Sequence, residues 1–396
     1  MTTNGGTVRL ATRSSDLALR QAASVREALS SRRFDLELVE VDTRGDQVRD
    51  ELIHRLGTTG AFVRSLDERV LAGDVDGAVH SMKDVPTEIP EDLVVAAVPE
   101  RATANDLLVT PEGRSLADLP DGATVGTASL RRGAQIRRER PDLEIEGLRG
   151  NVDTRVEKLL APGLQREHRR RLDAEDPDPG EDLAGEPEET TDGENEDGDE
   201  SQDPNGDDGD ELSEFDRSLQ EWFDDLAEIE RRALERDVGV EYDAIVLAAA
   251  GLERMGLRRQ VGTHELPTDA FVPSAGQGAI AVTTTDGDLA ETIRSRVDHP
   301  PTRVAAMTER AVLSELGAGC VAPVGIHAVL QGEYVTTAVQ VLSRDGSEAV
   351  EATRDLPAER HVAAAREFAA DLADRGATEL IARAKRDDAD DPKRGD

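Results

Sequence analysis

Short apolar runs alternate with stretches of helical spacing along this chain, and that alternation restricts its fold more than any other feature. Val8 to Ala11 reads as a strand, Leu17 to Leu29 as an amphipathic helix, Leu36 to Val41 as a second strand and Val75 to His80 as a third. Ser14, Ser15 and Asp16 supply N-cap chemistry before the first helix, and Leu66 to Leu71 continues a helix ahead of the third strand. The pattern then returns. Thr124 to Gly126 ends a short strand, Ser129 opens a helix reaching about Arg140, and Val152 to Leu160 is helical. Asp243 to Ala250 is a continuous apolar strand running into Gly251 and a short helix. Such alternation predicts an α/β fold with largely parallel sheets. From about Thr302 a different order follows: a helix through Leu316, strands at Gly325–Leu330 and Tyr334–Leu342, and a last helix over about Glu359–Ala373. A frayed tail is expected from about residue 385.

One tract interrupts the second α/β pattern. Leu172 to Asp216 contains no Lys or Arg and is dominated by Asp, Glu, Gly and Pro. It has too little apolar surface to offset the entropy of ordering, so an insertion spanning 165–238 is expected to be largely disordered. Its far end differs: Leu212, Phe215, Leu219, Trp222, Leu226 and Ile229 recur every three or four residues, which predicts a helix over 212–234. Packing on its own domain and docking in a partner's groove both fit such a stripe.

At 396 residues the chain has room for two or three cores, and with 2% aromatics those cores must come mainly from Val, Leu, Ile and Ala. The formal net charge of −37 argues against nucleic acid or an anionic membrane as partner, because phosphates would be repelled. It points instead to adaptation to concentrated salt, where like-charge repulsion is screened. No apolar run approaches the roughly 18 residues that span a bilayer, and residues 1–13 hold no stretch of signal-peptide length. The single cysteine precludes an intrachain disulfide, and the seven histidines show no metal-ligand spacing. These features predict a cytoplasmic protein without a metal.

Cations are nevertheless concentrated at strand-to-helix junctions. Arg13 lies beside Ser15; Thr127, Ser129, Arg131 and Arg132 cluster at one helix start; Arg149, Asn151 and Arg155 cluster at the next. Each could be an ordinary solvated surface group. Together they suit an anionic ligand, since helix N-termini offer free N–H groups and arginine offers a planar fork for carboxylates. Lys83 and Asp84 follow the Val75–His80 strand, where ligands of open α/β sheets bind; an ordinary surface ion pair is the bland alternative. Cys320 follows Gly317-Ala318-Gly319, a setting for close backbone approach, although free cysteines are most often small buried hydrophobes.

Eight segments in order resemble the hydroxymethylbilane synthase (porphobilinogen deaminase) family: Leu10-Ala-Thr-Arg-Ser-Ser, Thr43-Arg-Gly-Asp, Val79-His-Ser-Met-Lys-Asp-Val-Pro, Val125-Gly-Thr-Ala-Ser-Leu-Arg-Arg, Leu148-Arg-Gly-Asn-Val-Asp-Thr-Arg, Tyr242-Asp-Ala-Ile-Val-Leu-Ala-Ala-Ala-Gly-Leu, Pro273-Ser-Ala-Gly-Gln-Gly-Ala and Gly317-Ala-Gly-Cys-Val-Ala-Pro-Val-Gly. The resemblance implies two lobes like type II periplasmic binding proteins plus a small C-terminal α+β domain. Domain 1 would comprise 1–100 and 268–290, domain 2 would comprise 101–267, and domain 3 would comprise 291–396. It further implies a dipyrromethane cofactor held by a thioether to Cys320, and head-to-tail condensation of four porphobilinogens with loss of ammonia. Asp84 would be catalytic. Arg13, Ser15, Ser81, Lys83, Thr127, Ser129, Arg131, Arg132, Arg149, Asn151 and Arg155 would bind the acetate and propionate groups. A monomer is implied. The active-site loop departs from the family's Gly-Gly-Lys-Gly: here it reads Gly57-Thr-Thr-Gly60, so Thr59 stands in place of lysine, while Arg55 keeps a nearby charge and Phe62 is retained. Two other readings compete, a non-catalytic anion-binding module and a regulatory protein organised around the acidic insertion. The first needs neither Cys320 nor its glycine loop, and the second predicts that function is lost on deleting residues 172–210.

Overall fold

The computed structural model describes residues 7–30, 35–41, 61–175, 215–319 and 322–389. Its strands begin with β1 (Val8–Arg13), β2 (Leu36–Val41), β3 (Gly77–Ser81) and β4 (Leu93–Ala97). Then come β5 (Asp106–Thr110), β6 (Thr124–Gly126), β7 (Glu144–Glu146), β8 (Ala244–Ala248), β9 (Gly262–Glu265) and β10 (Ile280–Thr285). The last three are β11 (Val324–Gln331), β12 (Tyr334–Leu342) and β13 (Ala349–Pro357). The first sheet has the order β2-β1-β3-β10-β4 and the second β7-β6-β8-β5-β9. Counted within each sheet, both read second, first, third, visitor, fourth. The visitor, β10 or β5, is antiparallel to its neighbours, while the first three strands are parallel. Each sheet therefore contains one strand delivered from the other side of a crossing, over 98–105 and again over 266–279. The alternation of strand and helix anticipates the parallel strands, and it misses the visitors because their partners are distant in sequence.

Local rules explain the elements around the site. Ser15 caps the helix Asp16–Leu29 by accepting the N–H of Ala18, and Ala22, Val25 and Leu29 bury one face against Leu10, Leu36, Val79 and Ile280. Ser129 caps the helix Leu130–Glu139 by accepting the N–H of Arg132. The strands β5 and β8 are near-continuously apolar because both of their faces are covered. The third sheet is an antiparallel meander, β11-β12-β13, packed through Val324, Ile326, Val339 and Leu356 on the helices Pro300–Glu315 and His361–Asp374.

Three expectations are corrected. A further helix, Ala377–Ala389, runs past residue 385, where fraying is expected: Ala377, Leu380, Ile381 and Ala384 bury a face under a charged exterior, and 390–396 lie outside the described residues. The helix after Asn151 runs on to Glu175, well into the stretch expected to be disordered, and continues through Pro162. The stripe over 212–234 is two helices, Leu219–Asp225 and Glu228–Leu234, rather than one. Local capping breaks it. The Ser218 and Glu221 side chains cap the first helix reciprocally, and the Glu230 carboxylate accepts the Ala227 N–H at 2.8 Å to start the second. Residues 160–239 form a compact unit apart from 1–159 and 240–396. Inside it, Trp222 is buried beside His168, Arg171 stacks over Phe215, and Gln165 donates to the carbonyls of Leu234 and Arg236. The rest of the acidic tract, 176–214, lies outside the described residues.

Candidate active site

The strand β3 ends at Ser81 and the chain makes one 3-10 turn, Met82–Asp84. Met82 anchors that turn: its side chain is buried with Val85, Val98, Ala279 and Ala306, and its N–H donates to Ala279 O at 3.0 Å. The Gly276 loop packs directly on it. Gly276 has φ of +73°, and a Cβ there would sit 2.8 Å from Met82 Cγ and 3.0 Å from Lys83 N. Only glycine satisfies both the left-handed backbone and the close approach. The turn leaves Lys83 exposed and Asp84 half-buried at the carboxyl end of the sheet. The strand β1 runs parallel to β3, so Arg13 at its end emerges along the same edge.

The second sheet brings its own cations to its carboxyl edge. Thr127, buried just past β6, accepts the Ser129 N–H through its hydroxyl, and Ser129 caps the following helix. Ser15, Thr127 and Ser129 thus use an oxygen lone pair locally and keep the O–H to donate to a ligand acceptor. Arg149 and Asn151 flank Gly150, whose φ is +109° and where a Cβ would fall 2.4 Å from the Thr154 side chain. This turn opens the helix Val152–Glu175, and Arg155 Nε donates to Gly150 O at 2.8 Å.

Arg131 and Arg132 point inward. Both guanidinium groups grip one buried carboxylate: Arg131 meets Asp106 Oδ2 and Arg132 meets Oδ1, each at 2.8 Å. Arg131 also donates to Gln135 and Val272 O, and Gln277 Nε2 donates to Asp106 Oδ1 at 2.8 Å. Burial alone would raise the Asp106 pKa, but the two arginine charges and their hydrogen bonds outweigh it and lower it to about 2. Nε of Arg131 and Nε of Arg132 remain buried without a hydrogen-bond acceptor. Arg155 stands in the same field. Burial, then the like charges of Arg132 and Arg149, lower its pKa to about 10. A depressed arginine pKa means that the folded chain stores positive charge a bound anion would relieve.

Cys320, Arg55 and Thr59 lie outside the described residues, as does the Phe62 side chain at the start of the helix Ala61–Leu71. The approach to Cys320 is visible: the helix Pro300–Glu315 ends at Leu316, and Gly317 follows at φ +59° with its carbonyl accepting from Lys385 Nζ at 2.7 Å. Glu309 on that helix is fully buried. It accepts from Arg101, from the N–H of Gly276 and from the N–H of Ala328, tying this helix to both crossings. Burial pushes its pKa up, yet Arg101 and His327 leave it lowered overall. Sequence reasoning missed Asp106, Gln277, Glu309 and Arg101. The available signals were a lone carboxylate opening an apolar strand and a glutamine held between two glycines.

A family model described as "Porphobilinogen deaminase, dipyromethane cofactor binding domain" matches residues 8–167 and 227–292, and "Porphobilinogen deaminase, C-terminal domain" matches 304–375. A "Probable porphobilinogen deaminase" of Halobacterium salinarum is 55% identical over 392 residues, covering 94% of this chain and 97% of that one. The "Porphobilinogen deaminase" of Syntrophobacter fumaroxidans is 34% identical over 378 residues, covering 94% and 96%. Among solved structures, lipoprotein Tp32 from Treponema pallidum superposes with a TM-score of 0.31 at 12% identity, covering 73% of this chain and 90% of that one.

Proposed function

The chain belongs to the porphobilinogen deaminase family, and on that premise we propose that Asp84 is its catalytic carboxylate, Cys320 its cofactor anchor, and the arginines around Arg155 its carboxylate-binding site. It is a transferase that condenses porphobilinogen head to tail, with loss of ammonia, to 1-hydroxymethylbilane in tetrapyrrole biosynthesis. Its dipyrromethane cofactor, when bound, supplies the primer for that condensation.

The residues fit such a group. The observation that carries the reading is the cationic crowd: two buried arginine N–H groups without acceptors, beside an Arg155 whose pKa is lowered by burial and by Arg132 and Arg149. Arg149, Arg155, Lys83 and Arg13 neutralise acetates and propionates, and Ser15, Ser81, Thr127, Ser129 and Asn151 add neutral donors. Arg131 and Arg132, already shared with Asp106, contribute through Nε and through their field. Porphobilinogen loses ammonia when its aminomethyl C–N bond breaks, the nitrogen leaving with the electron pair and a proton. The azafulvene left behind is cationic. Asp84 accepts hydrogen bonds from pyrrole N–H groups and places a fixed negative charge beside that cation as it forms. Its carboxylate then takes the proton displaced when the new carbon–carbon bond restores the aromatic pyrrole.

Intact-mass measurement of the purified protein tests the assignment of Cys320. Two linked pyrroles are expected on the wild type and none on Cys320→Ser. An unmodified thiol in protein that still cannot consume porphobilinogen after the primer is supplied would overturn it. The proposed domain division keeps the boundaries 1–100 with 268–290, 101–267 and 291–396, with β10 and β5 as the strands that visit. We further propose a monomer, located in the cytoplasm; among the described residues no helix is long and apolar enough to cross a membrane. An apolar partner for 212–234 remains a proposal, with Phe223 as its exposed contact.

The net charge of −37 sets the working conditions. At 1 M salt the Debye length is about 3 Å, so repulsion among surface carboxylates is largely removed. The melting temperature is expected to rise steadily as KCl goes from roughly 0.1 M to above 1 M. A melting temperature independent of salt, with full activity in dilute buffer, removes the salt-adaptation reading.

A further inference from the structure

Helix Ala61–Leu71 packs on the first sheet through an apolar layer of Leu66, Val70, Ala11, Ala78 and Leu93. Three polar side chains break into that layer: Asp67 from the helix, His80 from β3 and Thr283 from β10, all buried. They meet at one point. His80 Nε2 lies 3.0 Å from Asp67 Oδ1 and 3.0 Å from Thr283 Oγ1, and the Thr283 hydroxyl donates to the same Asp67 oxygen at 3.0 Å. A carboxylate only accepts, so this contact places the imidazole proton on Nε2, shared between two oxygens. Three polar groups in an apolar layer cost stability unless each finds its partner, and here each partner comes from a different element. The set therefore favours one register: sliding the helix by a turn takes Asp67 from both its partners, and sliding β10 by a residue turns Thr283 away from both of its own.

The elements it joins are those around Asp84. His80 directly precedes Ser81 and the Met82–Asp84 turn, and β10 follows the Gly276 loop that seats Met82, with Ile280 opposite Ser81. The helix is the first described element after residues 42–60, which contain Arg55 and Thr59. We propose that Asp67 and His80, closed by Thr283, are positioning residues that hold the Asp84 turn in register with the helix following that segment. This rests on the assignment of Asp84 given above.

The test is steady-state kinetics on cofactor-loaded enzyme, with loading counted by intact mass and folding followed by melting temperature. Displacing a catalytic group by about 1 Å can cost on the order of a hundredfold. Asp67→Asn, which keeps shape and removes the charged acceptor, is expected to lower kcat at least about tenfold while KM stays within about twofold and the dipyrromethane mass is retained. Thr283→Val should lower kcat in the same sense and Thr283→Ser should restore it; this pair decides the matter if Asp67→Asn does not fold. Variants with a lower melting temperature but a wild-type kcat per loaded molecule would show a purely structural contact and overturn the proposal. Asp84→Asn assayed alongside separates the two readings: normal turnover there removes the Asp84 assignment, whatever the Asp67 and Thr283 variants do.

Discussion

Replacing Asp84 with asparagine lowers kcat by about two to four powers of ten, the range typical of removing a positioned proton-transfer group, while the melting temperature changes little. The expectation follows from the site's anatomy. Asp84 sits half-buried at the end of a turn whose hydrophobic anchor is Met82, so the substitution alters the reacting edge and leaves the anchor intact. Asparagine keeps the size and one acceptor, but it carries no charge to set against an azafulvene cation and takes up no proton at neutral pH. Single-turnover consumption of porphobilinogen by cofactor-loaded enzyme measures the loss. Turnover within a factor of two of wild type would remove Asp84 from the chemistry.

Asp106→Ala produces the largest loss of stability, about 3–5 kcal/mol, because it leaves two buried guanidinium groups without their shared counter-ion. Denaturant titration at neutral pH reads this directly, and the variant should also carry less cofactor, since Arg132 loses its fixed orientation. A pH dependence accompanies it. The folded pKa of Asp106, about 2, lies below the ordinary 3.8. The group therefore stabilises the fold fully above the ordinary value, and that contribution fades as pH falls from about 4 towards 2. At 1.36 kcal/mol per unit, about 2 kcal/mol of wild-type stability disappears over that window. Asp106→Ala lacks this component, so the two proteins should converge in stability as the pH drops. A difference that stays constant from pH 7 to pH 3 argues against the charge as the cause.

Much of this architecture is legible in the chain. The caps Ser15 and Ser129, the strands Leu36–Val41 and Thr124–Gly126, and the position of Asp84 just past a buried strand all follow from local signals, where a residue's neighbours decide its conformation. What escapes is long-range. Arg131 and Arg132 read as outward-facing ligand groups because their counter-ion, Asp106, belongs to another strand, and nothing near either arginine announces it. Likewise nothing in the local pattern announces β10 as a strand, and only the family resemblance places 268–290 with the first lobe, where β10 pairs with β3 and β4. The final helix hides for a different reason: only Ala377, Leu380, Ile381 and Ala384 supply its buried apolar face, and the surrounding Asp, Lys and Arg resemble a solvated end.

The visiting strands also determine how this chain must leave the ribosome. Among the described strands β4 has only β10 as a neighbour, so from the synthesis of Ala97 until Ile280 emerges it lacks that partner, and β3 offers an open edge over the same interval. At elongation of about 5–20 residues per second that wait lasts on the order of 10–40 s. Unpaired edges invite association between nascent chains on a shared message. The tract lacking any basic residue, Leu172 to Asp216, is translated within that interval, so only chains that have passed it present an acidic block while the β3 and β4 edges still wait for β10.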